Sequence, residues 1–178
     1  PIGQLLTMAL SGKLVTRFGS AKIISIVSLL YALVLVSISF ASHIYMLAGI
    51  LLLFGVLGNM GSIAVNTQAV AVEKLYTKSI MTSFHGGWSL AGFFGALIGL
   101  LTINFNINTT NHFVIVFGLV IANALFNFKY LMPKSEMATA SKKVKFKPDS
   151  LLIQLGIIGF FSMATEGAMF DWSGVYFK

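Results

Sequence analysis

The chain has 178 residues, of which 57% are apolar and only 10% charged, with a mean hydropathy of +0.89. Soluble domains carry about a quarter charged residues, and a compact domain of this size still exposes much of its area to water, so an ordinary soluble fold is excluded and lipid is required as a second solvent. The net charge of +7 does not mark a nucleic-acid binder, because the cations follow membrane topology, and the absence of cysteine excludes disulfides, thiolate catalysis and cysteine metal sites.

A membrane-spanning helix needs roughly 20 mostly apolar residues. Residues 1–10 are too few to span and lack the basic start of a signal peptide. They read as the second half of a helix, so the chain is expected to be a piece of a longer protein. Residues 23–42 form the first full span, without a charged residue, and His43 and Tyr45 make a short polar turn. Residues 44–70 form the second span, with Gly49, Gly55, Gly58 and Gly61 along it. The polar stretch 73–83 carries Glu73, Lys74 and Lys78.

The third span covers 84–103, where Gly86, Gly87, Gly92, Gly95 and Gly99 set a small-residue ridge suited to close helix packing. Residues 104–112 are an uncharged loop with four asparagines. Residues 113–132 span again, 133–149 form a basic hydrophilic linker, and 151–170 make the last span. The fold class is therefore an all-α membrane bundle of five full spans and one partial span.

Eleven of the twelve lysines and arginines fall at Lys13, Arg17, Lys22, Lys74, Lys78, Lys129, Lys134, Lys142, Lys143, Lys145 and Lys147. If the spans alternate in direction, all eleven lie on one side. The positive-inside rule then puts residues 11–22, 73–83 and 133–149 in the cytoplasm. The lysine cluster of the linker suits anionic lipid headgroups, although a topology anchor is the commoner role for such a run. Asn108-Thr109-Thr110 fits a glycosylation acceptor pattern, with no other sign of a eukaryotic source beside it.

The sharpest local pattern is the basic turn Gly12-Lys13-Leu14-Val15-Thr16-Arg17-Phe18-Gly19-Ser20-Ala21-Lys22. Its glycines permit a tight reversal and its cations hold the turn at the cytoplasmic face. It resembles the major facilitator superfamily signature between helices two and three, which Gly12, Leu14, Arg17, Gly19 and Lys22 match. Thr16 stands where that family usually has Asp, so the charged gating contact of that Asp does not carry over. The stretches 66–73 and 166–173 resemble a YbjJ-like branch of bacterial facilitators, related to sugar permeases such as the fucose permease. The resemblance implies helices two to seven of a twelve-helix transporter. Residues 1–132 would be part of the N-terminal half (helices two to six), 133–150 the cytoplasmic linker and 151–178 the first helix of the second half.

Candidate working residues follow from the cost of polar groups in hydrocarbon. Glu166 lies 15 residues beyond Leu151, about 22 Å along a helix and past the midplane. A carboxyl there can relieve the cost of its charge by taking up a coupling proton; a structural hydrogen bond to a neighbouring helix is the alternative. Asp171 is one turn further on, where a solvated cap is the commoner role. His85 begins a span, a position more often interfacial than a proton relay. Trp88 and Trp172 suit either an aromatic belt or stacking on a sugar ring.

Asn59, Asn66, Gln68, Asn123 and Asn127 are the remaining polar side chains at or near membrane depth. Asn59 and Asn66 share a helix face, as do Asn123 and Asn127. These two faces suit either a polyol ligand or interhelical glue. No phosphate cradle, metal-ligand spacing or nucleophile–base pair stands in the sequence, so neither an enzyme nor a cofactor is expected.

The reading is a multi-pass transporter of a bacterial inner membrane that moves a small polar solute, a sugar among the candidates, by alternating access with protons as the coupling ion. Its expected partners are the bilayer and the solute, with no nucleic acid and no obligate protein. Export of amphipathic compounds is the first alternative; the drug/proton antiporters' Gly-Pro motif in helix five has no counterpart here. A polytopic protein that transports nothing is the second.

Overall fold

A computed structural model of the chain describes residues 2–133 and 149–176. The linker lysines at 134, 142, 143, 145 and 147, and Lys178, lie outside the described residues. Among the described residues every regular element is helical: α1 (Ile2–Phe18), α2 (Ser20–Ile38), α3 (Ile44–Glu73), α4 (Met81–Asn104), α5 (Thr109–Asn127) with a 3-10 turn (Phe128–Tyr130), and α6 (Ser150–Tyr176). Five segments are long and apolar enough to cross a membrane: Ser20–Ile38, Ile44–Glu73, Met81–Asn104, Thr109–Tyr130 and Ser150–Met169. Helices satisfy their own backbone, which hydrocarbon cannot do for them. The chain forms two compact units, Pro1–Thr139 and Ala140–Lys178, so α6 is described by itself.

The connection expected over residues 11–22 is much shorter than its polarity suggests. Residues 11–18 continue α1, and α2 begins at Ser20. Ser11 and Val15 are buried while Lys13, Thr16 and Arg17 are exposed, so the polar residues are the outward side of a helix. The cation Arg17 also suits the negative end of the helix dipole. Reversal is left to Gly19, at φ 89° and ψ 144°, backbone that L side chains rarely adopt. At the far end α2 stops at Ile38, because Ser39, Phe40 and Ala41 turn back through bonds to the carbonyls of Val36, Ser37 and Ile38. α3, with 30 residues, is about 45 Å long and exceeds a hydrocarbon core of roughly 30 Å.

α3 is the centre of the first unit: α1 and α2 both pack on it, and α5 packs on α2. Val15, Ile23, Val27, Val34, Leu57 and Ala64 form the buried cluster. Tyr31 of α2 stacks on Phe54 of α3 at 4.1 Å between ring centroids, in space left by Gly58, where a Cβ would stand 3.3 Å from the tyrosine ring. At Gly3 the helices approach so closely that an added Cβ would lie 2.5 Å from the carbonyl oxygen of Leu52. The ridge expected to pack tightly, Gly86, Gly87, Gly92, Gly95 and Gly99, has no described atom within 4 Å of an added Cβ.

Helix starts leave orphan N–H groups, and side chains meet those of α3 to α6. His43 Nδ1 accepts from the N–H of Met46 at 3.1 Å, Asn108 Oδ1 from that of Asn111 at 2.8 Å, and Asp149 Oδ1 from that of Leu152 at 2.7 Å. α4 has no cap at Ile80 itself. Instead Glu73, at the polar end of α3, turns one carboxylate oxygen to the Ser79 hydroxyl at 2.6 Å, the N–H of Ile80 at 3.0 Å and the N–H of Met81 at 3.2 Å. The Ser79 hydroxyl, then the Met81 N–H, hold this carboxyl below the usual glutamate range.

Two outcomes follow. Gly19→Ala destabilises the full-length protein in detergent thermal unfolding by about 1–3 kcal/mol. Gly12→Ala, in helix and with no neighbour within 4 Å, is neutral or stabilising by under about 1 kcal/mol. For Glu73, a carboxyl whose folded value is depressed adds stability above its unfolded value and loses it as pH falls through the folded one. Wild type therefore loses stability on acidification below the ordinary glutamate range, and Glu73→Gln, less stable at neutral pH, shows a shallower acid limb. Parallel acid limbs in wild type and variant would remove the carboxylate from the account.

Candidate functional site

Polar side chains of the first unit divide by what holds them. Asn59 of α3 donates to the hydroxyls of Thr7 at 3.3 Å and Ser11 at 3.2 Å, both on α1. It stands between two helices, part-buried. Asn66 is exposed and donates to the carbonyl of Ser62 within its own helix at 3.0 Å. Asn123 and Asn127 are exposed on α5 and lie against each other: the Asn127 amide donates to Asn123 Oδ1 at 2.8 Å and to its carbonyl at 2.9 Å. The spacing of four thus does bring this pair together, whereas Asn59 and Asn66 take different partners.

His85 is exposed near the start of α4, and its carbonyl accepts from Ser89 at 3.3 Å. Trp88, on the same turn, is 69% exposed. Glu166 and Trp172 are exposed on α6 within the second unit; the side chain of Asp171 lies outside the described residues. Thr165, beside Glu166, is turned to its own helix, donating to the carbonyl of Phe161 at 2.8 Å. Among the described residues no three histidine, aspartate or glutamate side chains gather to hold a metal ion.

The signature residues share one end of the first unit. Leu14 packs against the buried cluster. Arg17 lies over the ring of Phe18 at 5.3 Å, and Lys22 is exposed. Thr16, where the signature it resembles has Asp, donates to the carbonyl of Lys13 at 2.9 Å.

One residue at this end has a role that sequence reasoning did not assign. Gln68 is 7% exposed, and its amide nitrogen donates to Ser20 at 2.9 Å and to the carbonyl of Met132 at 2.9 Å. Its oxygen accepts from the N–H of Met132 at 3.0 Å. The available signal was the spacing Ala64, Gln68, Ala71, a buried stripe of small residues with one amide in it. These bonds join the start of α2, the end of α3 and the chain just beyond α5 at one end of the unit.

No protein-family model matches the chain, and no solved structure does. The chain is similar to several curated proteins along 98% of its length. An uncharacterized transporter of Sinorhizobium fredii is 29% identical over 177 residues, 47% of that protein. An uncharacterized MFS-type transporter of Yersinia pestis is 30% identical over 177 residues, 45% of that protein. The membrane protein MosC of Rhizobium meliloti is 29% identical over 178 residues, 42% of its length. The chain thus spans about half the length of the curated relatives it matches. With five apolar helices of spanning length, it is an all-α, multi-pass membrane protein similar from end to end to part of bacterial transporters.

Proposed function

We propose that the chain is the helix-two to helix-seven portion of a major facilitator superfamily secondary transporter, which moves a small polar solute by alternating access. The observation that carries this reading is the similarity of nearly the whole chain to about half of proteins called transporters, one of them MFS-type. The signature match at Gly12, Leu14, Arg17, Gly19 and Lys22 adds to it, as does the long basic linker where such proteins join their halves. Residues 11–22, 73–83 and 133–149 face the cytoplasm of a bacterial inner membrane, on the lysine asymmetry.

Glu166 is the coupling residue of this proposal. It is an acid within an apolar helix segment, and an ionisable group at membrane depth is costly unless it works. Asn123 and Asn127, exposed together on α5, are the amides offered to the solute; a sugar suits such a face, with His85 and Trp88 at the cytoplasmic end of α4. Asn66 shares the solute-facing role. Trp172 and Asp171 serve the outer end of α6. Asn59 is spent on α1 and serves as glue.

Glu166→Gln in the full-length protein abolishes proton-driven uptake in proteoliposomes while sparing solute binding; undiminished gradient-driven uptake would remove the coupling role. Asn123→Ala with Asn127→Ala raises KM for the solute at unchanged thermal stability. Asn59→Ala lowers stability by about 1 kcal/mol, two interhelical bonds of about 0.6 kcal/mol each, without a change in KM. A fluorescent-dye efflux assay separates import of a polar solute from export of amphipathic compounds.

A further inference from the structure

The chain leaves helical geometry at Leu131, whose φ of -71° and ψ of 133° are extended. Met132 therefore has no helical partner for its N–H or carbonyl, and Pro133 after it has no N–H to offer. A primary amide side chain reproduces the donor–acceptor pair of a peptide unit without carrying charge at any ordinary pH. Gln68 is placed to use both halves: its oxygen takes the Met132 N–H at 3.0 Å and its nitrogen gives to the Met132 carbonyl at 2.9 Å. The same nitrogen holds Ser20 at 2.9 Å, one residue past the Gly19 reversal. Ser20 is 1% exposed and Gln68 7%, so water does not compete freely for these groups, and each would be costly to leave unpaired.

We propose that Gln68 is a positioning residue that acts as a surrogate strand partner for Met132. It clamps the root of the linker to α3 and to the α1–α2 reversal, so that the chain departs from a fixed point. The clamp depends on one group both donating and accepting. A carboxylate accepts only; a carboxylic acid donates and accepts as an amide does. Gln68→Glu consequently keeps the acceptor for the Met132 N–H and makes only the bond donated to the Met132 carbonyl conditional on pH.

The test is amide hydrogen exchange at Met132 in the full-length protein in lipid nanodiscs, expressed as protection relative to intrinsic exchange at each pH. The N–H of Ile107, bonded to the carbonyl of Thr102 at 2.9 Å, serves as a reference away from the clamp. Gln68→Met, similar in shape but without the amide, loses about tenfold of the protection at Met132 and none at Ile107. Gln68→Glu, whose carboxyl still accepts from that N–H in either protonation state, keeps the protection at Met132. Unchanged protection in Gln68→Met overturns the clamp. So does a loss at Met132 in Gln68→Glu, which keeps the acceptor, or a loss that Ile107 shares, since each reports packing or global unfolding instead.

Discussion

Hydrocarbon offers no partner to an N–H or a carbonyl, and each one left open there costs several kcal/mol. That constraint makes every described element of this chain a helix and then moves the difficulty to the helix ends. Ends that reach the polar connections use short side chains nearby: His43, Asn108 and Asp149 each meet an N–H three residues on. Two ends are met from a distance, and both times by α3. Glu73 serves the start of α4, and Gln68 serves the chain that has left α5. The last turns of α3 thus satisfy the backbone of two other connections, which explains why polar groups stand there among buried Ala64, Ala69 and Ala71.

The spans were legible because an apolar run of some 20 residues has few other solutions. Their edges were less so, and the errors share a cause. Polarity was read as loop at residues 11–18, whereas a helix that reaches the interface keeps its period and turns its polar residues outward. The reversal was therefore assigned to a whole motif when Gly19 alone makes it. Lysine placement is a different kind of signal, because it depends on the sum of many positions rather than on any one. The bonds joining Ser20, Gln68 and Met132 bring the start of α2, the end of α3 and the chain just beyond α5 to one end, by geometry that owes nothing to charge.

Contacts between distant segments were not legible. Gly3 is required by the approach of the Leu52 carbonyl, and nothing near residue 3 announces residue 52. The conspicuous Gly95 and Gly99 pair instead has open space around it among the described residues. Small residues show where helices are able to come close; the register between helices decides where they do. Glu73 is a similar case: a cap eight residues before its helix has no local pattern, unlike the Asn108 cap, which sits at the usual place.

This sorting of polar groups bears on how such a unit would work. Asn59 and Gln68 bond across helices and make α1, α2, α3 and the chain after α5 one connected body. Asn66, Asn123, Asn127 and Thr165 bond within their own helices, so none of them holds two helices together. Alternating access asks a half-transporter for both properties, since it rocks as a body around a polar site. Groups committed between helices supply the rigidity. On the proposed function, groups held only by their own helix would exchange that bond for a solute without loosening the packing, which makes the second set, on α5 above all, the candidates to bind and release at little structural cost.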